Sequence, residues 1–171
     1  MITPIKKETK VVFGPCRLSY VHVFQKHSFQ NDTSDGKYST VILIPKKEKE
    51  TLKVINAAIG EARAAILAKL KGKEPRDFQM PLRDGDEQAE RTGDDTFAGH
   101  YYLNAKCNTR PGIVDKNRAP IMDEEEFYSG VWAICSVSFF GFDTVAKGVG
   151  CGLNNLMKFK DDERLGGRVS A

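Results

Sequence analysis

Short runs rich in β-branched and aromatic residues recur along this 171-residue chain, set apart by turn residues, and one stretch alone carries helical periodicity. Glycines interrupt the last apolar run, as they do where a barrel strand has to curve. These features describe a mainly β fold with one inserted helix, spanning residues 1–171 as a single domain. Hydrophobic residues make up 40% of the chain, enough for a core at this length.

Val11 to Gln25 reads as a long strand bent at Gly14-Pro15, a place where sheets commonly kink. A polar turn, Asn31-Asp32-Thr33-Ser34-Asp35-Gly36, leads to a second strand from Lys37 to Ile44, ended by Pro45, and the two make a hairpin. Glu48 to Leu70 is the helix, because Leu52, Ile55, Ile59, Ala62, Ile66 and Leu70 recur at three- and four-residue spacing. Gly72 stops it, and its Lys- and Glu-rich face is a solvated one, so residues 48–71 form a helical insertion. Residues 77–98 show neither period, contain Pro81, Gly85 and Gly93, and read as a long acidic loop.

Gly99 to Ile121 reads as a strand, a Pro-Gly turn and a short hairpin. Alternation sets His100, Tyr102, Asn104 and Lys106 on a polar platform, and Tyr101, Leu103, Ala105 and Cys107 on a core face. Of the two adjacent tyrosines, alternation points Tyr102 outward, and a one-residue slip would reverse the choice. Phe127 to Phe142 is the most apolar strand, with both faces expected to be largely buried. Gly148 to Phe159 is a glycine-kinked last strand. Five or six strands with one helix suit a sandwich or a small barrel, and a partly open five-stranded barrel of the OB type fits size, helix and aromatics together.

The formal net charge is only +3, so charge matters by position. Residues 45–76 hold nine Lys or Arg against four Glu, whereas 77–98 hold two Arg against seven acids. Gly99 to Ile121 sets Lys106, Arg110, Lys116 and Arg118 against Asp115, a balance that suits a nucleic-acid backbone better than a metal. Cys16, Cys107, Cys135 and Cys151 form no Cys-x-x-Cys pair and read as reduced thiols, three of them in strand-like runs. Met1 to Lys10 is polar, and no apolar run approaches the ~20 residues of a membrane span, so the expectation is a soluble, cytoplasmic protein without membrane contact.

An active site does not assemble from the residues. Asp84, Asp86, Glu87, Asp94 and Asp95 could hold two divalent ions in a metal-dependent nuclease, but their turn-rich surroundings offer few apolar anchors, and a solvated loop is the simpler reading. His22, His27 and His100 have no metal-ligand spacing, and neither a nucleophile elbow nor a phosphate loop or dinucleotide fingerprint occurs. No catalytic residue, metal or cofactor is expected.

A binder of single strands needs cations along the phosphates and flat side chains under the bases. Tyr20, Phe24, Tyr38, Tyr102 and Trp132 are the stacking candidates, with core packing as the competing role of each. Lys26, Lys37, Lys106, Arg110, Lys116 and Arg118 are the phosphate candidates, and Asn104 shares the platform. Truncating Tyr102 is expected to weaken binding and leave the fold intact. A homodimeric interaction module built on Phe127 to Phe142 is the remaining alternative.

Lys37-Tyr38-Ser39, Pro81-Leu82-Arg83-Asp84-Gly85-Asp86, Ala98-Gly99-His100-Tyr101, Pro111-Gly112-Ile113-Val114-Asp115, Tyr128-Ser129-Gly130 and Gly152-Leu153-Asn154-Asn155 occur in the order of one family. From about Lys10 to Arg168 the chain resembles the phage-encoded single-stranded DNA-binding proteins, long grouped as a domain of unknown function. The resemblance implies an OB fold and sequence-independent binding of single-stranded DNA in phage replication, recombination or repair, with replication or recombination proteins as partners. It also implies a ligand face near Tyr102, Lys106 and Arg110. Relatives end in a short acidic tail where this chain stops at Val169-Ser170-Ala171, and carry a basic residue where this chain has Ala133, Ile134 and Cys135.

Overall fold

A computed structural model describes residues 1–27 and 36–165. The expected turn at Asn31 to Asp35 and the chain end at Val169 to Ala171 lie outside the described residues. In chain order the elements are β1 (Ile5–Lys7), β2 (Lys10–His27), β3 (Lys37–Pro45), α1 (Lys49–Lys69), β4 (Leu82–Asp84), α2 (Gly85–Thr92), β5 (His100–Cys107), β6 (Gly112–Val114), β7 (Trp132–Asp143) and β8 (Lys147–Lys160). Neighbours β5, β3, β2, β7 and β8 run antiparallel, and a parallel pairing of Lys106 with Gly152 joins β8 back to β5. The result is a five-stranded barrel of the OB type, with β1, β4 and β6 added at its margins.

Alternation fills the barrel. Phe13, Leu18, Ile42, Ile44, Leu103, Ala105, Ala133, Cys135, Val137, Phe139 and Leu156 all point inward and are buried. Helix α1 plugs the core with Leu52, Ile55, Ile59, Ala62 and Ile66, the stripe that its periodicity predicts. Burying each such Leu, Ile or Phe contributes about 1.5–3 kcal/mol against chain entropy. Cys16, Cys135 and Cys151 belong to the same core, and burial pushes the Cys16 thiol up to about 12, so it stays protonated and inert. Among the described residues, no helix is long and apolar enough to cross a membrane.

Residues 77–98 are not a loop. Residues 82–97 form β4, α2 and a 3-10 turn at Asp95–Phe97, and two of the acids, Asp84 and Asp94, act as caps. Asp84 accepts from the Asp86 N–H at the start of α2, Asp94 accepts from the Thr96 N–H, and Gly93 ends α2 in the left-handed region, φ 79°. Capping residues and glycine are what make a sequence look loop-like when its helix is short. On the outer face of β3 and β5, Phe97 and α2 cover Val41, Leu43 and Tyr102, a second small apolar cluster.

Strand β7 also differs from expectation. Ala133, Cys135, Val137 and Phe139 are buried, but Trp132, Ile134, Ser138 and Phe142 on the even face are only partly covered, and Phe140 is half exposed. Both edges of β7 are occupied, by β2 and β8, so the exposed even face is what remains available to a ligand or a second copy.

Candidate nucleic-acid interface

Two irregularities in β2 shape the surface. Between Ser19 and His22, β2 advances three residues while β3 advances two, from Val41 to Ser39. The extra residue is Tyr20, held at φ 48° and 54% exposed, the outcome of a bulge that turns its ring out of the sheet. Between His22 and His27, β2 advances five residues while β3 again advances two, to Lys37. The surplus chain folds back, and the two imidazoles stack with centroids 4.0 Å apart and planes 7° apart.

A third irregularity opens the groove. One edge of β5 is shared: β4 pairs with Tyr101 to Leu103, and β8 reaches it at Lys106. Where β4 and β8 part, a cleft opens between Gln79–Pro81, Asn104, Lys106 and the β7–β8 hairpin, whose Phe140, Phe142 and Thr144 form the far wall. A second cleft lies across β3 and β5, between the β2 bulges with Tyr20, His22 and His27 and the α2 side with Gln88 and Arg91. Arg83, Asn104 and Lys106 line both clefts, so they form the ridge between them.

Phe140 has an unusual seat. A Cβ at Gly150 would meet its Cζ at 2.8 Å, and one at Gly152 would meet its Cε1 at 3.4 Å, so the two glycines leave the space the ring occupies against β8. The ring is supported from below and remains 50% exposed. Lys37, Arg83 and Lys106 line the same cleft, and no carboxylate occurs among the described residues lining either cleft. A supported aromatic face beside cations is suited to a stacked base and its phosphates.

The residues singled out from sequence divide into groups. Tyr20, Lys37, Asn104 and Lys106 come together in the groove. Tyr102 shares their face, as alternation requires, but is only 6% exposed beneath Phe97 and α2, its hydroxyl donating to Gln88 Oε1 at 3.2 Å. The open platform expected at Tyr102 is therefore covered, while Tyr101 is partly buried against the main core with the Lys46 ammonium 4.9 Å from its ring. Tyr38 is half-buried on the inward side of β3, paired with Cys107.

The others lie apart from both clefts. Arg110 sits over the partly buried Phe24 ring at 5.0 Å, and Lys116 over Phe159 at 4.6 Å. Lys26 is exposed near the end of β2, and Arg118 is exposed at φ 67° in the turn after β6. Trp132 donates its indole N–H to Asp162 at 2.7 Å, with Lys160 over the ring at 5.0 Å. Phe140, Phe142, Arg83, Arg91 and the histidine pair are groove residues that sequence reasoning passed over. The signal for Phe140 was the Gly-x-Gly spacing of Gly150 and Gly152, read there as strand curvature.

Two of the acids weighed as metal ligands, Asp84 and Asp86, have other partners. Lys46 Nζ lies 2.7 Å from both Asp84 Oδ1 and Asp86 Oδ2, and the Gly99 N–H donates to Asp86 at 2.8 Å. The Lys46 hydrogen bond leads in holding both carboxyls below the usual carboxylate range. Among the described residues, no group of three or more His, Cys, Asp or Glu side chains could hold a metal ion.

A closed five-stranded barrel with an aromatic and cationic groove across its strands is the architecture of an oligonucleotide-binding barrel. Residues 9–171 match the family model described as Enterobacter phage Enc34, ssDNA-binding protein, and the chain belongs to that phage family. A curated relative, putative protein p50 of Acyrthosiphon pisum secondary endosymbiont phage 1, is 28% identical over 95% of this chain and 90% of its own length. The fold is similar to the single-stranded DNA-binding protein of bacteriophage Enc34 in complex with ssDNA, at TM-score 0.80 and 23% identity, covering 95% of this chain and 97% of the other. It is also similar to gp2.5, a single-stranded DNA-binding protein encoded by bacteriophage T7, at TM-score 0.57 and 16% identity, covering 94% and 97%.

Proposed function

We propose that this protein binds single-stranded DNA without sequence preference and coats exposed strands during phage replication, recombination or repair in the host cytoplasm. The observation that carries the proposal is Phe140, a half-exposed ring seated against Gly150 and Gly152, in a groove that also holds Lys37, Arg83 and Lys106. Family membership supports the ligand. In this reading a base stacks on Phe140, the phosphates follow the ridge of Arg83 and Lys106, and Tyr20 receives a base in the second cleft. Asn104 donates or accepts a hydrogen bond at either side of the ridge. None of these contacts reads a base edge in a fixed register, which is why the binding tolerates any sequence.

Fluorescence titration of a labelled oligo-dT tests the proposal. Saturable binding at low salt is expected, with log affinity falling by about 0.7 per phosphate contact for each log unit of salt. Absence of binding at low salt contradicts it. Labelled DNA held with magnesium or manganese is expected to stay intact, since the reading includes no catalytic step.

A further inference from the structure

We propose that the stacked pair His22 and His27 is a phosphodiester-contacting subsite of the groove, which takes up a proton when single-stranded nucleic acid binds. The inference rests on the single-strand-binding reading above and adds a contact to it. Its basis is geometric. The surplus residues of β2 between the two histidines fold His27 back onto His22, and both rings line the second cleft together with Tyr20, Asn104 and Lys106.

The charges around the pair set the sign of the effect. Facing it are Arg83 from β4, Arg91 from α2 and Lys106 from β5, while Lys37 of β3 lies opposite His27 in register. Lys26 precedes His27 on β2 itself. Partial burial, and then the neighbouring His27, hold His22 below the ordinary histidine range, so in the free protein the ring favours its neutral form. Two protonated rings 4.0 Å apart would repel each other and the surrounding cations.

A phosphodiester in the cleft reverses that balance. It adds negative charge beside the pair and accepts a hydrogen bond from a protonated imidazole, so the His22 pKa is higher in the complex than in the free protein. A group whose pKa rises on binding strengthens binding fully below its free-state value, and loses that contribution as pH climbs through the bound-state value. Affinity therefore increases as the solution is acidified through the histidine range.

The test is oligo-dT titration of the full chain at constant salt, at about pH 5.5, about pH 6.5 and about pH 7.5. The expected result is binding about three- to tenfold tighter at the lowest pH than at the highest, the range that linkage allows for about one proton. His22→Phe with His27→Phe keeps two flat rings but cannot titrate, and is expected to lose the pH slope. Calorimetry of the wild-type protein in two buffers of different ionisation heat gives the same answer without relying on the variant's folding: net proton uptake is expected. Uptake is also expected to persist in His100→Gln and to shrink in His22→Gln. A flat wild-type profile, no proton uptake, or a slope that survives in the folded double variant overturns the subsite. Failure to bind oligo-dT at any pH instead overturns the reading on which it rests.

Discussion

Phe140 is a large apolar side chain left half in solvent because two glycines make room beneath it. A residue in that state contributes little to the core, so its replacement separates binding from folding. Phe140→Ala is expected to weaken oligo-dT binding by about 1–3 kcal/mol with little change in melting temperature. Gly150→Val is expected to act the same way from below, since a Cβ there falls 2.8 Å from the Phe140 ring and pushes it off its seat. Tyr102 behaves in the opposite manner. Its ring is packed edge-on against Phe97 at 4.9 Å and covered by α2, so Tyr102→Ala is expected to cost about 3 kcal/mol of stability, read by denaturant unfolding. Alternation in β5 put Tyr102, Asn104 and Lys106 on one face correctly, because the period of a strand is local. What covers that face comes from residues 85–97, whose short polar helix carries no hydrophobic stripe, so no local pattern signals the cover.

The β4–α2 segment shows how an element can be hidden in plain composition. Its acids and glycines resemble a solvated loop, yet Asp84 and Gly93 cap a helix, and Asp84 and Asp86 are the partners of Lys46. Helix α1 was legible because a 21-residue element buries one stripe and repeats it often enough to be counted. The bulges of β2 were not, because a bulge depends on what the partner strand does, and no local pattern in β2 states the pairing of β3. The acid cluster makes a prediction of its own. Asp84 and Asp86 have depressed pKa values, so the stability they contribute is present above the usual carboxylate range and is lost as pH falls through their lowered values. Thermal melts below about pH 4 are expected to show this loss in the wild-type protein, and to show less of it in Lys46→Met.

Across the whole molecule, the barrel carries the groove and the inserted pieces give it walls. β4 and β8 divide one edge of β5, α2 closes the upper part of the outer face, and the β7–β8 hairpin forms the opposite side. The fold class and the order of the principal strands were readable from strand-like runs, turns and the resemblance to one family. The groove itself was not, since it depends on where strands separate, which no local pattern encodes. Cations are distributed widely, and those in the groove are expected to dominate the salt response. Arg83→Ala and Lys106→Ala are each expected to reduce the slope of log affinity against log salt by about 0.7, whereas Lys53→Ala, exposed on α1, leaves it unchanged. The most direct measurement is a crystal structure of the protein with a short oligo-dT. A base on the Phe140 ring and phosphates at Arg83 and Lys106 is the expected result. DNA lying along α1 or the Trp132 side, with the Phe140 cleft empty, would contradict it.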